Sequence, residues 1–183
     1  MTLKLSTLAI TLGLGYALPQ LYAFGNPKSY AEGLRKFPRS PNWGYALMTV
    51  ATGWFLYNVS LESIADFAAY KKHMIIAFGA IGLGACLFLK DFLAVRGLAV
   101  ILLLLAKLMV DTGRPHLGES PWVIANQLLA YGLVTLGVWW TISPWRLRDW
   151  IQWCTADDQR MKIGAALRLV CGLGFAALGL FVF

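Results

Sequence analysis

The chain of 183 residues is 58% hydrophobic with a mean hydropathy of +0.62, above the roughly 45–50% apolar share of soluble globular domains. A soluble domain of this size still exposes about a third of its unfolded surface, too much to hide several uninterrupted apolar runs. The net charge of +7 comes without a long basic block; its Lys and Arg sit in short connectors, which fits anionic lipid headgroups and argues against a nucleic-acid partner.

One all-α integral membrane domain over residues 1–183 is therefore expected, and the chain divides readily. The stretch TLKLSTLAITLGLGYALPQLYA has the parts of a secretory signal, but its length suits a retained span over 3–22. In Asn26-Pro27 the Asn suits an N-cap and the Pro the first helical position. Tyr30, Leu34 and Phe37 then recur at i, i+4 and i+7, with Lys28, Glu32, Arg35 and Lys36 on other faces, which predicts a short amphipathic helix over 27–37 lying in the membrane interface. Ser40-Pro41 repeats the signal and opens a second span over 43–61. A polar connector from Glu62 to His73, containing Asp66, Lys71 and Lys72, follows.

Met74 to Val110 is almost wholly apolar. As one helix it would be roughly 55 Å long against a hydrocarbon core of about 30 Å, so it must turn back. Lys90-Asp91 is the charged pair available for the turn, giving spans over 74–89 and 92–110, with Arg96 one turn inside and able to snorkel. DTGRPHLGE breaks the pattern. Ser120-Pro121 then opens a span over 122–142, and Ser143-Pro144 launches a second interfacial helix over 144–154. There Leu147, Ile151, Cys154 and Trp150 share an apolar face. Trp139, Trp140, Trp145, Trp150 and Trp153 cluster in this region as expected interfacial anchors. Thr155 and Asp158 resemble a capping box for the sixth span, over 162–183.

The expected architecture is thus six transmembrane helices as three hairpins plus two interfacial helices. Asn26 through Gly53 and Ser143 through Gly172 share one plan, a cap with proline, a surface helix and a Gly-rich span, consistent with a duplication or with two independent origins. Lys28, Arg35, Lys36, Arg39, Lys90, Arg96, Arg146, Arg148, Arg160 and Lys162 fall on one side; Lys4, Lys71, Lys72, Lys107 and Arg114 fall on the other. The positive-inside rule places the richer side in the cytoplasm of a cell (inner) membrane, with both termini outside.

Arg168, deep in the sixth span, is the polar residue of greatest interest. A charge there costs at least ~2.5 kcal/mol unless paired or hydrated. It either snorkels or finds a partner in the bundle, for which Asn126 and Gln127 are candidates. Cys86, Cys154 and Cys171 form no C-x-x-C pair, so neither a disulfide framework nor a thiolate metal site is expected. His73 and His116 lack the spacing of a metal pair and neither lies deep in a span, so no metal, haem or other cofactor is expected. No phosphate-loop, zinc-protease, nucleophile-elbow or dinucleotide motif is present, and no catalytic residue is assigned. Ala80/Gly84, Gly82/Cys86 and Gly172/Ala176 are small residues four apart, suited to close helix contact.

Lys107, six intervening residues and Arg114-Pro115 resemble the first motif of the membrane phosphatidic-acid phosphatase superfamily, whose Lys and Arg hold a lipid phosphate. With His116, the resemblance implies candidate lipid-phosphate contacts at Lys107 and Arg114. It covers nine residues. The family's P-S-G-H segment and its later Arg and nucleophilic His have no counterpart after Pro115, so a phosphatase of that type would lack its covalent catalyst. The expected function is a non-catalytic accessory or scaffolding subunit of a membrane complex or homo-oligomer, with lipids and other membrane subunits as partners. A small transporter or channel, or a lipid-phosphate-handling enzyme, are the alternatives.

Overall fold

The structure is a computed structural model that describes residues 4–62 and 68–183, and every regular element among them is helical. In chain order these are α1 (Leu5–Gly25), α2 (Pro27–Lys36), α3 (Pro41–Leu61), α4 (Lys71–Phe88), α5 (Leu93–Gly113), α6 (Pro121–Ile142), α7 (Trp145–Cys154) and α8 (Asp158–Phe181), with 3-10 turns at Phe37–Arg39 and Arg114–His116.

Of the four cap-and-proline signals, Ser40 and Ser120 bond through their side chains, whereas Asn26 and Ser143 are engaged through their carbonyls and α7 begins at Trp145, after its proline. Asn26 accepts the Tyr30 N–H on its carbonyl at 3.0 Å. Ser40 Oγ accepts from the Trp43 N–H at 3.5 Å, and Ser120 Oγ from the Trp122 N–H at 3.3 Å. The Thr155–Asp158 capping box does not form. Asp157 occupies the N-cap of α8 without a side-chain bond, and Thr155 Oγ1 instead donates to the Ile151 carbonyl at 2.8 Å, closing the end of α7. A Thr hydroxyl can satisfy the carbonyl four residues back as readily as a donor ahead of it.

α1, α4, α5 with its following turn, α6 and α8 are long and apolar enough to cross a membrane. α3 has the length, 21 residues, but Asn42, Thr49, Thr52, Asn58 and Ser60 dilute its apolar content. Three of these turn back on the helix's own backbone: Thr52 Oγ1 donates to the Met48 carbonyl at 2.8 Å, Asn58 Nδ2 to Trp54 at 3.0 Å and Ser60 Oγ to Tyr57 at 2.7 Å. Between α4 and α5 the chain passes through Lys90, Asp91 and Phe92, the last at φ 56°. That left-handed conformation disfavours a bulky side chain and marks an enforced turn. Asp66 lies outside the described residues.

The chain forms two compact units. One comprises Met1–Arg35, Leu105–Leu133 and Arg148–Phe183. Here α1 and α8 run antiparallel in close contact, because small residues recur along both: Ala9, Gly13 and Ala17 on α1 meet Gly179, Ala176 and Gly172 on α8. Leu8 packs with Ala106, Met109 and Ala130. The hairpin expectation pairs chain neighbours; in this unit α1, the first helix, packs on α8, the last. Small-residue seams of matching pitch favour that pairing.

The other unit comprises Lys36–Leu104 and Val134–Leu147. α3 runs antiparallel to α4, with Thr52 on Gly82, Leu56 on Gly79 and a Phe55–Phe78 ring contact at 4.9 Å. α3 runs parallel to α5, where Gly44 meets Leu93 and Gly97 meets Leu47 and Met48. Of α4, only Gly82 is buried. Ala80 is exposed, so the Ala80/Gly84 pair makes no such seam.

Alanines make up much of the buried core, beside larger residues such as Leu8, Leu104, Met109, Trp140 and Met161, while many large apolar side chains face outward. Ala9, Ala17, Ala51, Ala94, Ala99, Ala106, Ala130 and Ala165 are buried, whereas Phe88 is 84% exposed, Phe181 85% and Ile142 70%.

Candidate functional site

Arg168 enters the structure from the seam of α8, between Ala165 and Gly172. Its Nε donates to Gln20 Oε1 at 2.9 Å. Gln20 continues the α1 stripe one turn past Ala17 and is 5% exposed. The same Oε1 accepts from the Tyr30 hydroxyl at 3.1 Å, while Gln20 Nε2 donates to the Tyr16 carbonyl at 3.2 Å. One buried amide thus joins α1, α2 and α8. Its oxygen carries two donors, which fixes the guanidinium plane and holds α2 down onto the end of α1. No carboxylate among the described residues pairs with Arg168.

α2 presents the pattern expected of it: Tyr30, Leu34 and Phe37 are half-buried, whereas Lys28, Glu32 and Arg35 are exposed. Arg35 also reaches across to the α7–α8 junction. Its Nε donates to Thr155 Oγ1 at 2.8 Å and its Nη2 to the Thr155 carbonyl. The two short helices therefore meet at one end of this unit. Tyr22 and Tyr30 stack edge to face at 6.4 Å beside them, and Arg160 lies 5.6 Å over the Trp153 ring.

Asn126 and Gln127 are not the partners of Arg168. Asn126 Nδ2 donates to the Met109 carbonyl at 3.1 Å and Gln127 Nε2 to the Val110 carbonyl at 3.3 Å. Both carbonyls lie near the C-terminal end of α5, and each has a second lone pair with which to take a donor from α6. Asn126 Oδ1 and Gln127 Oε1 are buried and accept no hydrogen bond. Gly113 makes room for the pair, since a Cβ there would lie 2.7 Å from Asn126 Nδ2 and 2.8 Å from Gln127 Nε2. Gly113→Ala should therefore push both amides off their carbonyls and destabilise the fold by about 1–3 kcal/mol. Gly132→Ala on α6, where a Cβ meets nothing within 4 Å, should not. Detergent-denaturation midpoints compare them directly, and equal midpoints would contradict the contact.

The lipid-phosphate candidates are engaged separately. Lys107 Nζ pairs with Asp111 Oδ2 at 2.6 Å, and His116 Nδ1 lies 2.8 Å from Glu119 Oε2. Arg114 is exposed in the turn between them. Lys107 and His116 are thus held by different carboxylates rather than gathered with Arg114 into one site. Nor, among the described residues, do three or more His, Cys, Asp or Glu gather as a metal site would require.

Of the tryptophans, Trp139, Trp145, Trp150 and Trp153 are exposed and suited to an interface, but Trp140 is 7% exposed and packs inward. Arg96 Nη1 donates to the Thr141 carbonyl at 3.4 Å, a cation at the C-terminal end of α6 where the helix dipole favours it. Gln20 is the residue that inspection of the sequence missed as the partner of Arg168, and Tyr30 the one that bonds the same amide oxygen. The available signal was Gln20 itself, the one amide in the α1 run, on the stripe of Ala9, Gly13 and Ala17. Compared with known proteins, the chain matches no protein family, no curated protein and no solved structure.

Proposed function

We propose that this chain is a multi-pass integral membrane protein with six spans, α1, α3, α4, α5, α6 and α8, and with α2 and α7 lying on the cytoplasmic surface of a cell (inner) membrane. It acts as a non-catalytic accessory or scaffolding subunit, packing against other membrane subunits or a second copy of itself. The exposed apolar surface carries this: leucine, isoleucine, phenylalanine and tryptophan side chains outside, with small-residue seams between helices, suit a solvent as apolar as the side chains it touches, where close packing rather than burial joins helices.

Further observations support it. Thr52, Asn58 and Ser60 of α3 turn their donors onto the helix's own backbone, as a span favours. The antiparallel pairs α1–α8 and α3–α4 and the parallel pair α3–α5 fit alternate crossing. Contact between Arg35 and Thr155 supports one leaflet for α2 and α7. The apolar faces of α4, with Ile76, Ile81, Leu83 and Leu87 exposed, provide surface for a neighbouring subunit.

Membranes washed with alkaline carbonate should retain the protein, and mild detergent should release it with stoichiometric partner chains or as a homo-oligomer. Release by carbonate alone would remove the membrane assignment, and a lone monomer in every mild detergent would remove the scaffolding role. Thiol labelling at single cysteines placed at Lys90 and at each terminus should find Lys90 on one side and both termini on the other.

A further inference from the structure

We propose that Arg168 binds the phosphate of an anionic phospholipid, which enters from the lipid side over Gly164. The proposal rests on α8 crossing a bilayer, which the carbonate wash tests separately.

Arg168 uses one donor group, its Nε, on Gln20 Oε1. Nη1 and Nη2 have no partner among the described residues, and the acceptor on Nε is a neutral amide. In a span this leaves a full positive charge uncompensated, with its fork of donors unused. A guanidinium fork matches two phosphate oxygens, and such charge-assisted pairs are among the stronger hydrogen bonds in proteins.

The direction of the side chain shows where the anion comes from. The guanidinium folds back toward the start of α8 and lies over Gly164: an added Cβ there would be 3.3 Å from Nη1 and 3.7 Å from Nη2. Absence of a side chain at 164 leaves a notch that exposes the fork. Ile163, Leu167 and Val170, flanking it on α8, are 53%, 63% and 68% exposed, so the notch opens onto the surface that faces acyl chains. Arg160, on the exposed Trp153 ring, lies one turn nearer the start of the helix than Gly164, a rise of about 6 Å. A headgroup at the depth of Arg160 and Trp153 brings its phosphate within reach of the fork, and Lys162 adds charge beside the approach. Gln20, whose oxygen also accepts the Tyr30 hydroxyl, holds the guanidinium at Nε, so less rotamer freedom remains to be lost on binding.

Native mass spectrometry of the intact protein in mild detergent, titrated with phosphatidylglycerol or with phosphatidylcholine of the same acyl chains, reads this site. The wild-type protein should retain phosphatidylglycerol about tenfold more tightly than phosphatidylcholine. Arg168→Gln should abolish that preference. Gly164→Leu, which keeps the arginine and whose Cβ has the Arg168 guanidinium as its nearest neighbour, should do the same, and it keeps the test valid if Arg168→Gln fails to fold. Millimolar inorganic phosphate should leave the bound lipid in place. Equal retention of the two lipids by the wild type, an unchanged preference in Gly164→Leu, or displacement by inorganic phosphate would each overturn the proposal.

Discussion

Gly13→Ala is expected to separate α1 from α8. A Cβ at Gly13 would fall 2.5 Å from the Ala176 nitrogen and 2.5 Å from the Gly172 carbonyl oxygen, both backbone atoms. Neither can rotate aside, so the helices must part along the whole seam. Overpacking typically costs about 1–3 kcal/mol, and the upper end is expected where the obstacle is backbone on both sides. Helix association in lipid depends on close van der Waals contact, so a shift of a fraction of an ångström removes much of what holds the pair. Gly172→Ala and Gly179→Ala should behave alike, because added Cβ atoms there would fall 2.8 Å from the Gly13 and Ser6 carbonyl oxygens. Gly15→Ala and Gly174→Ala meet nothing within 4 Å and should keep wild-type stability. Unfolding midpoints in a denaturing-detergent titration compare the series, and a Gly13→Ala protein as stable as Gly15→Ala would refute the seam.

Replacement of Gln20 should cost more than replacement of the charge it serves. Gln20→Leu removes the acceptor for Arg168 Nε and for the Tyr30 hydroxyl together, leaving a guanidinium without its amide partner. Bonds to charged groups contribute about 1.5–3 kcal/mol, so a loss of about 2 kcal/mol is expected. Arg168→Leu removes the charge itself, leaves a neutral amide and should cost about 1 kcal/mol or less. The double variant Gln20→Leu/Arg168→Leu should recover most of the loss, since removal of both partners is far cheaper than removal of one. Strictly additive effects in that cycle would show that the two side chains do not interact.

Arg168 illustrates what a sequence holds back. Its depth in an apolar run announced a residue in need of a partner, and Asn126 and Gln127, polar residues in another run, were reasonable candidates. Their spacing gave no indication that α6 would turn both amides onto the carbonyls of α5. Gln20 stood 148 positions from Arg168, and only the antiparallel register of α1 on α8 brings them together. Trp140 gives the same lesson on a smaller scale. Its neighbour Trp139 is exposed at 51% while Trp140 is buried at 7%, because a single helical step of about 100° exchanges the two faces.

The helices and their ends were legible in the chain alone. Apolar runs, prolines after Asn26, Ser40 and Ser120, and the polar-apolar alternation of α2 are local properties, decided within a few residues by capping and periodicity. Which helix meets which was decided only in three dimensions. Small residues mark where contact is close without saying with whom, and when side chains outside and inside are equally apolar, no pattern along the chain distinguishes a face that packs on a neighbouring helix from one that does not.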